Sequence, residues 1–143
     1  MEQAKYSDDG KTLIRCPKGF KGHFVIPYGV ISIGDDAFAW CETLQAITIP
    51  NSVTNIGNNP FKGCEALESI NCLSKHFVFC DDALYTADMI KIIAHIGRTN
   101  IFTIPNSINY IGNHAFSECL YLTSIKIPNS VTSIGNGAFG RCI

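Results

Sequence analysis

The chain has no long run of apolar residues. Nowhere do its 143 residues approach the roughly 18 to 20 consecutive apolar positions of a membrane-spanning helix, and Met1 to Asp9 contains no apolar segment of the signal-peptide kind. Neither membrane insertion nor an export signal is expected within this sequence. Charge is also sparse: 16% of residues are charged, the net charge is −1, and the 11 Lys and Arg are scattered. That pattern leaves no basic footprint for nucleic acid or an anionic membrane surface. The Cys-x-x-Cys and Cys-x-x-His pairs of zinc sites are missing, as is the Gly-Lys-Ser/Thr of a phosphate loop. No metal and no cofactor are expected.

What is present is repetition in a chain whose apolar fraction, 46%, suits one ordered domain. The stretch Ile26 to Phe38 recurs as Ile49 to Phe61, then as Ile104 to Phe116 and Ile127 to Phe139. Copies one and two start 23 residues apart, as do copies three and four; the 55 between the second and third is one repeat of 23 plus a longer unit of 32. The longer unit has a partner. Ala83 to Ile93, ending in Phe102-Thr103-Ile104-Pro105, aligns with Ala4 to Ile14, ending in Phe24-Val25-Ile26-Pro27, with a single gap. In both places an apolar run, a polar turn and a second apolar run predict a hairpin, with Asp8-Asp9-Gly10 the clearer turn. The sequence divides as a partial hairpin repeat over 4–25, two regular repeats over 26–71, a long hairpin repeat over 72–103 and two regular repeats over 104–143. The last of these is incomplete, and the chain is expected to begin in the middle of a unit.

Within each repeat the residue types explain a coil. Leu44 to Pro50 and Leu122 to Pro128 alternate apolar with polar residues, the period of a half-buried strand, and proline ends the strand because it has no amide to donate. Val53 and Ile56, like Val131 and Ile134, mark a second short buried edge. The Ala-Phe pairs at 37–38, 115–116 and 138–139 are expected to start a helical turn. Stacking such coils predicts one parallel sheet through Leu44–Ile49, Leu67–Asn71, Ile101–Ile104 and Leu122–Ile127, with Ile47, Ile70, Phe102 and Ile125 inside. Phe38, Phe61, Phe116 and Phe139 would form a second ladder.

The pattern Leu-x-x-Ile-x-Ile-Pro-x-x-Val-x-x-Ile-Gly-x-x-Ala-Phe-x-x-Cys resembles the BspA-like class of bacterial leucine-rich repeats, and the hairpin unit resembles longer repeats interspersed among them. Pro60, Cys72 and Lys5 depart from it locally. The resemblance implies a right-handed leucine-rich-repeat solenoid, β-rich, with short parallel strands, short helical turns and no catalytic residues. It further implies a cell-surface or secreted protein that binds host or matrix proteins, though without a signal peptide here a cytoplasmic location is the alternative.

The individual residues fit a scaffold. Cys41, Cys64, Cys119 and Cys142 share one repeat position and are expected to be small buried thiols, since parallel stacking keeps Cβ atoms about 4.8 Å apart, beyond the roughly 3.8 Å of a disulfide. Cys16, Cys72 and Cys80 lie off that ladder. His23, His76, His95 and His114 fall at unrelated repeat positions and read as surface or loop histidines. The pairs Asp8-Asp9, Asp35-Asp36 and Asp81-Asp82 sit in turns, where Asp caps backbone amides. Gly34, Gly57, Gly112 and Gly135 mark a bend and are expected at positive φ.

The expected function is therefore non-catalytic: a module that presents a surface to a protein partner, the alternative being a purely structural spacer within a longer surface protein. The contact row expected for binding is Val25, Thr48, Asn71, Thr103 and Lys126, the outward strand positions. The ends carry no atypical polar repeat, so self-association through uncapped ends is expected too.

Overall fold

The computed structural model describes residues 3–142 as a β-solenoid of short strands, and none of those residues is helical. A hairpin of β1 (Lys5–Tyr6) and β2 (Thr12–Arg15) is followed by β3 (Gly22–Val25), β4 (Ser32–Ile33), β5 (Leu44–Ile49), β6 (Asn55–Ile56) and β7 (Ser69–Cys72). The same order then recurs with one strand added at its start, β8, and no counterpart of β7: β8 (Phe77–Cys80), β9 (Ala83–Thr86), β10 (Lys91–His95), β11 (Ile101–Thr103), β12 (Tyr110–Ile111), β13 (Ser124–Lys126) and β14 (Ser133–Ile134). Both expected hairpins form. Tyr6 pairs with Leu13 and Tyr85 with Ile92, each beside a bulge. The turns are closed by aspartate: the Lys11 amide donates to Asp9 Oδ1 at 3.0 Å and the Ile90 amide to Asp88 Oδ1 at 3.1 Å.

Each half builds two sheets. In the first, β3-β5-β7 is parallel, with Val25, Thr48 and Asn71 in register, and β1-β2-β4-β6 runs along the other side of the coil. In the second, β11-β13 answers the former and β8-β9-β10-β12-β14 the latter. The single parallel sheet expected from the sequence is thus two, because β7 and β11 do not pair. Residues 75 and onward enter the β8–β9 hairpin instead of a fourth rung, and no hydrogen bond between two main-chain groups joins residues up to Ser74 to those beyond it among the described residues. The halves meet through apolar packing: Phe77, Leu84, Ile93, Ala94 and Ile96 of the second half complete the core of the first.

That core follows the alternation in sequence. Leu44, Ile47 and Ile49 are fully buried, and Ile70 and Phe102 nearly so, while Ile125 is half-buried. Phe24, Phe38 and Phe61 form one aromatic stack, with centroids 5.7 and 5.8 Å apart; Phe102, Phe116 and Phe139 form another, at 5.7 and 5.2 Å. At these separations ring pairs contribute beyond the area they bury. His95, expected at the surface, is instead buried in the second stack, its ring 5.5 Å from Phe116 and 4.7 Å from Phe102. Its backbone explains why: the His95 amide donates to Ala115 O just as the Cys16 amide donates to Ala37 O, so His95 occupies an inward corner.

The Ala-Phe segments form no helical turn. Along 36–41 the amides of Asp36, Phe38 and Trp40 donate to the next coil (Asn58, Pro60 and Lys62 carbonyls), and those of Ala37, Ala39 and Cys41 donate three residues back. Two left-handed residues per segment enforce this alternation: Asp36 and Trp40 at φ 57° and 62°, His114 and Glu118 at 58° and 63°. A right-handed helix admits no such residues. Conversely, Gly34, Gly57, Gly112 and Gly135 are not among the positive-φ residues. They are glycine because the preceding coil comes so close: a Cβ on Gly57 would lie 2.3 Å from Asp35 Oδ1 and one on Gly135 2.3 Å from Asn113 Oδ1.

Candidate interaction surface

The outward positions form two rows across the strands. One is His23, Ala46, Ser69, Ile101 and Ser124; the other is Val25, Thr48, Asn71, Thr103 and Lys126. Of the expected contact row, Val25, Asn71, Thr103 and Lys126 are exposed, Val25 to 60%. Thr48 is not: only 8% of it is accessible, because Val25 and Asn71 flank it and the His23 imidazole Nε2 sits 2.6 Å from its hydroxyl. The row is also divided, since the first three residues belong to β3-β5-β7 and the last two to β11-β13. Thr103 and Lys126 border a groove of about 560 Å³ that runs past Ile127 and Asn129. Sequence reasoning missed Ile101 (66% exposed), and Tyr28 (84% exposed) in the turn after β3. Ile101 could have been found by extending the alternation two residues back from Thr103.

The corner between the two sheets carries the polar chemistry. Asp35 Oδ1 accepts from the Asn58 amide at 2.7 Å, and Asn113 Oδ1 from the Asn136 amide at 2.8 Å. The Asn113 side-chain amide in turn donates to Asn58 Oδ1 at 3.3 Å, which carries the line of side chains across the two halves. Asp36 Oδ1 accepts from Asn59 Nδ2 at 2.8 Å and Asp82 Oδ2 from the Thr99 hydroxyl at 2.9 Å, so these aspartates serve the coil itself.

The cysteines behave as polar-tipped core residues. Cys41, Cys64, Cys119 and Cys142 each direct their sulfur at a carbonyl of the preceding coil, those of Cys16, Phe38, His95 and Phe116, at 3.6, 2.8, 3.9 and 2.7 Å. Cys41 and Cys119 are buried, Cys64 and Cys142 half-buried. One contact has the form of a nucleophile and its base: Cys119 Sγ lies 3.5 Å from His95 Nδ1. Its electrostatics are the reverse of an activated pair. Burial pushes the Cys119 thiol up to about 12 and lowers the His95 imidazole, against which the Asp82 charge acts weakly, so both are neutral where catalysis needs a thiolate. Among the described residues no three His, Cys, Asp or Glu side chains converge as metal ligands.

Comparison with known proteins bears on the same architecture. Residues 21–142 match the family model of the BspA type leucine rich repeat region, in 6 copies. A leucine-rich repeat protein from Eubacterium ventriosum is similar over 83% of this chain and 33% of its own, at 29% identity and a TM-score of 0.77. A leucine rich cell surface protein from Faecalibacterium prausnitzii is similar over 84% of this chain and 38% of its own, at 34% identity and a TM-score of 0.66. The chain thus spans about a third of the length of these two structures. No curated protein matches it. With six copies of the repeat matched over residues 21–142, the chain belongs to the BspA-type leucine-rich repeat family.

Proposed function

We propose that this chain is a protein-binding segment of a bacterial surface protein, which engages a host or matrix macromolecule through the outward side of its parallel strands. The observation that carries the reading is the outward side of the strands, where the aliphatic Val25 and Ile101, 60% and 66% exposed, stand beside the exposed polar residues Asn71, Thr103 and Lys126. Apolar area with a few directed polar groups is what a recognition site combines. The relative from Faecalibacterium prausnitzii is described as a cell surface protein, which supports the location. A panel of purified extracellular-matrix proteins, immobilised and probed with the 143-residue chain, is the experiment. A variant with Thr103→Glu and Lys126→Glu is expected to weaken any binding found by more than tenfold, about 1.4 kcal/mol, with an unchanged melting temperature. Undiminished binding would remove the strand surface from the reading.

A structural spacer is the second reading. It is favoured by the closure of Thr48 beneath His23, which interrupts the row. On that reading the panel shows no binding.

A further inference from the structure

The corner between the sheets of the first half holds a groove of about 430 Å³ that the solenoid itself does not require. Arg15, Lys18 and Lys62 line it with Asp35, Asp36 and Trp40. None of the three cations makes an ion pair among the described residues, in which Glu118–Arg141 is the one such contact. Trp40 is the single tryptophan of the chain, 39% exposed, with Lys62 Nζ 5.7 Å from its ring centroid.

Two comparisons within the molecule show that these side chains are additions to the repeat. Trp40 occupies the left-handed position that its neighbouring coil fills with Gly63, at φ 62° against 72°. The ring rests so close to Gly63 that a Cβ there would meet it at 2.3 Å. The left-handed backbone recurs here in every coil, with Glu118 at 63° and Arg141 at 59°, so the backbone belongs to the repeat and the indole is what this coil adds. In the second half the same position is Glu118, whose charge the coil pairs internally with Arg141 at 3.0 Å. Arg15 is likewise answered by Ala94, and Lys62 by Gly140, so the duplicated framework folds without the cations or the aromatic ring.

The chemistry of the groove is mixed in a way that selects its occupant. Unpaired cations call for an anionic group, yet two carboxylates stand among them, each bonded through one oxygen to an amide of the next coil. A polyanionic peptide would meet those carboxylates with more acceptors. A molecule that carries one acid group and several hydroxyl donors would meet both charges favourably, and the C–H edges of its ring suit the negative face of an indole. We propose that this groove binds an acidic sugar: a pyranose whose carboxylate is held by Arg15, Lys18 and Lys62, whose hydroxyls donate to Asp35 and Asp36, and whose ring packs on Trp40. This site is separate from the strand surface, and the probes below do not test that surface.

Trp40 emission reports binding directly, since no other tryptophan contributes. The full chain is titrated with 3′-sialyllactose, with a glucuronate-containing hyaluronan tetrasaccharide, with neutral lactose and with an Asp/Glu hexapeptide. The expected result is a saturable change with at least one acidic sugar, roughly tenfold weaker or absent with lactose and with the peptide, and weakened by salt. Arg15→Gln and Lys62→Gln each lower the affinity by roughly tenfold. Trp40→Gly abolishes binding in calorimetry while the melting temperature stays level or rises, because glycine takes the left-handed backbone without strain. No saturable response to either acidic sugar at millimolar concentration overturns the proposal. So does equal binding of lactose, or tighter binding of the hexapeptide.

Discussion

Single residues in this coil are judged by what the next coil does to them. Phe61 is buried against Phe38 with its ring 5.8 Å away, and Phe61→Ala is expected to cost about 3 to 5 kcal/mol in a urea melt; a nearly neutral result would mean that the stack is not structural. His95 is the weak member of the second stack, since Nε2 is buried without a hydrogen-bond partner. Its imidazole is held below its ordinary value by burial, so the unfolded chain takes up the proton first as pH falls. The stability it contributes is full above about pH 6.5 and is lost as pH drops toward the folded value, by at most about 1.4 kcal/mol per pH unit. His95→Phe is expected to remove that acid sensitivity and to raise stability at neutral pH by about 1 kcal/mol, the order of an unsatisfied polar group. Melting curves from pH 5 to 8 check both parts.

At the scale of elements, the spacing between coils decides what the repeat positions tolerate. Gly57→Ala would press a methyl group into Asp35, which already receives the Asn58 amide, and is expected to destabilise by about 1 to 3 kcal/mol. Gly19→Ala, at a turn with nothing within 4 Å of the added carbon, is expected to gain about 0.4 to 1 kcal/mol. Paired thermal melts test the contrast. The same spacing explains what could be read from sequence. Ile47, Ile70 and Phe102 were legible as core because alternation within a strand and repetition between strands point the same way. The role of the four repeat glycines was not, since the approach of a neighbouring coil leaves no mark on a glycine's own sequence context. The helical expectation at Ala37-Phe38 failed because the amides find partners in the next coil. Of the contact row, four of five positions were legible as exposed; the fifth, Thr48, depends on a rotamer of His23 one coil away. Trp40 was legible in principle, standing where the next repeat has Gly63.

For the molecule as a whole, the two halves differ most at the last coil. Ile49 is fully buried, covered by the coil that follows it, whereas the matching Ile127 is 41% exposed and Ile134 54%. A polypeptide of these 143 residues is expected to self-associate through this face, and Ile127→Lys to shift it toward monomer; sedimentation velocity over a concentration series reads the outcome. A strictly monomeric parent chain would show that the last coil tolerates its exposure. The join between the halves has a different character. Within each half, adjacent coils are locked rung by rung, but at residues 74–75 no strand ladder continues: the halves are joined by Phe77 and its apolar neighbours, by the Asn113–Asn58 bond, and by the bonds of the His76 amide to Ser74 Oγ at 3.2 Å and of Cys72 Sγ to the Phe77 carbonyl at 3.5 Å. The join is therefore expected to yield to bending before either half does. In an array built from such units, with Ile26 and Ile104 a unit of 78 residues apart, curvature would change in discrete steps at the joints, and a long array of this kind would flex like a segmented chain.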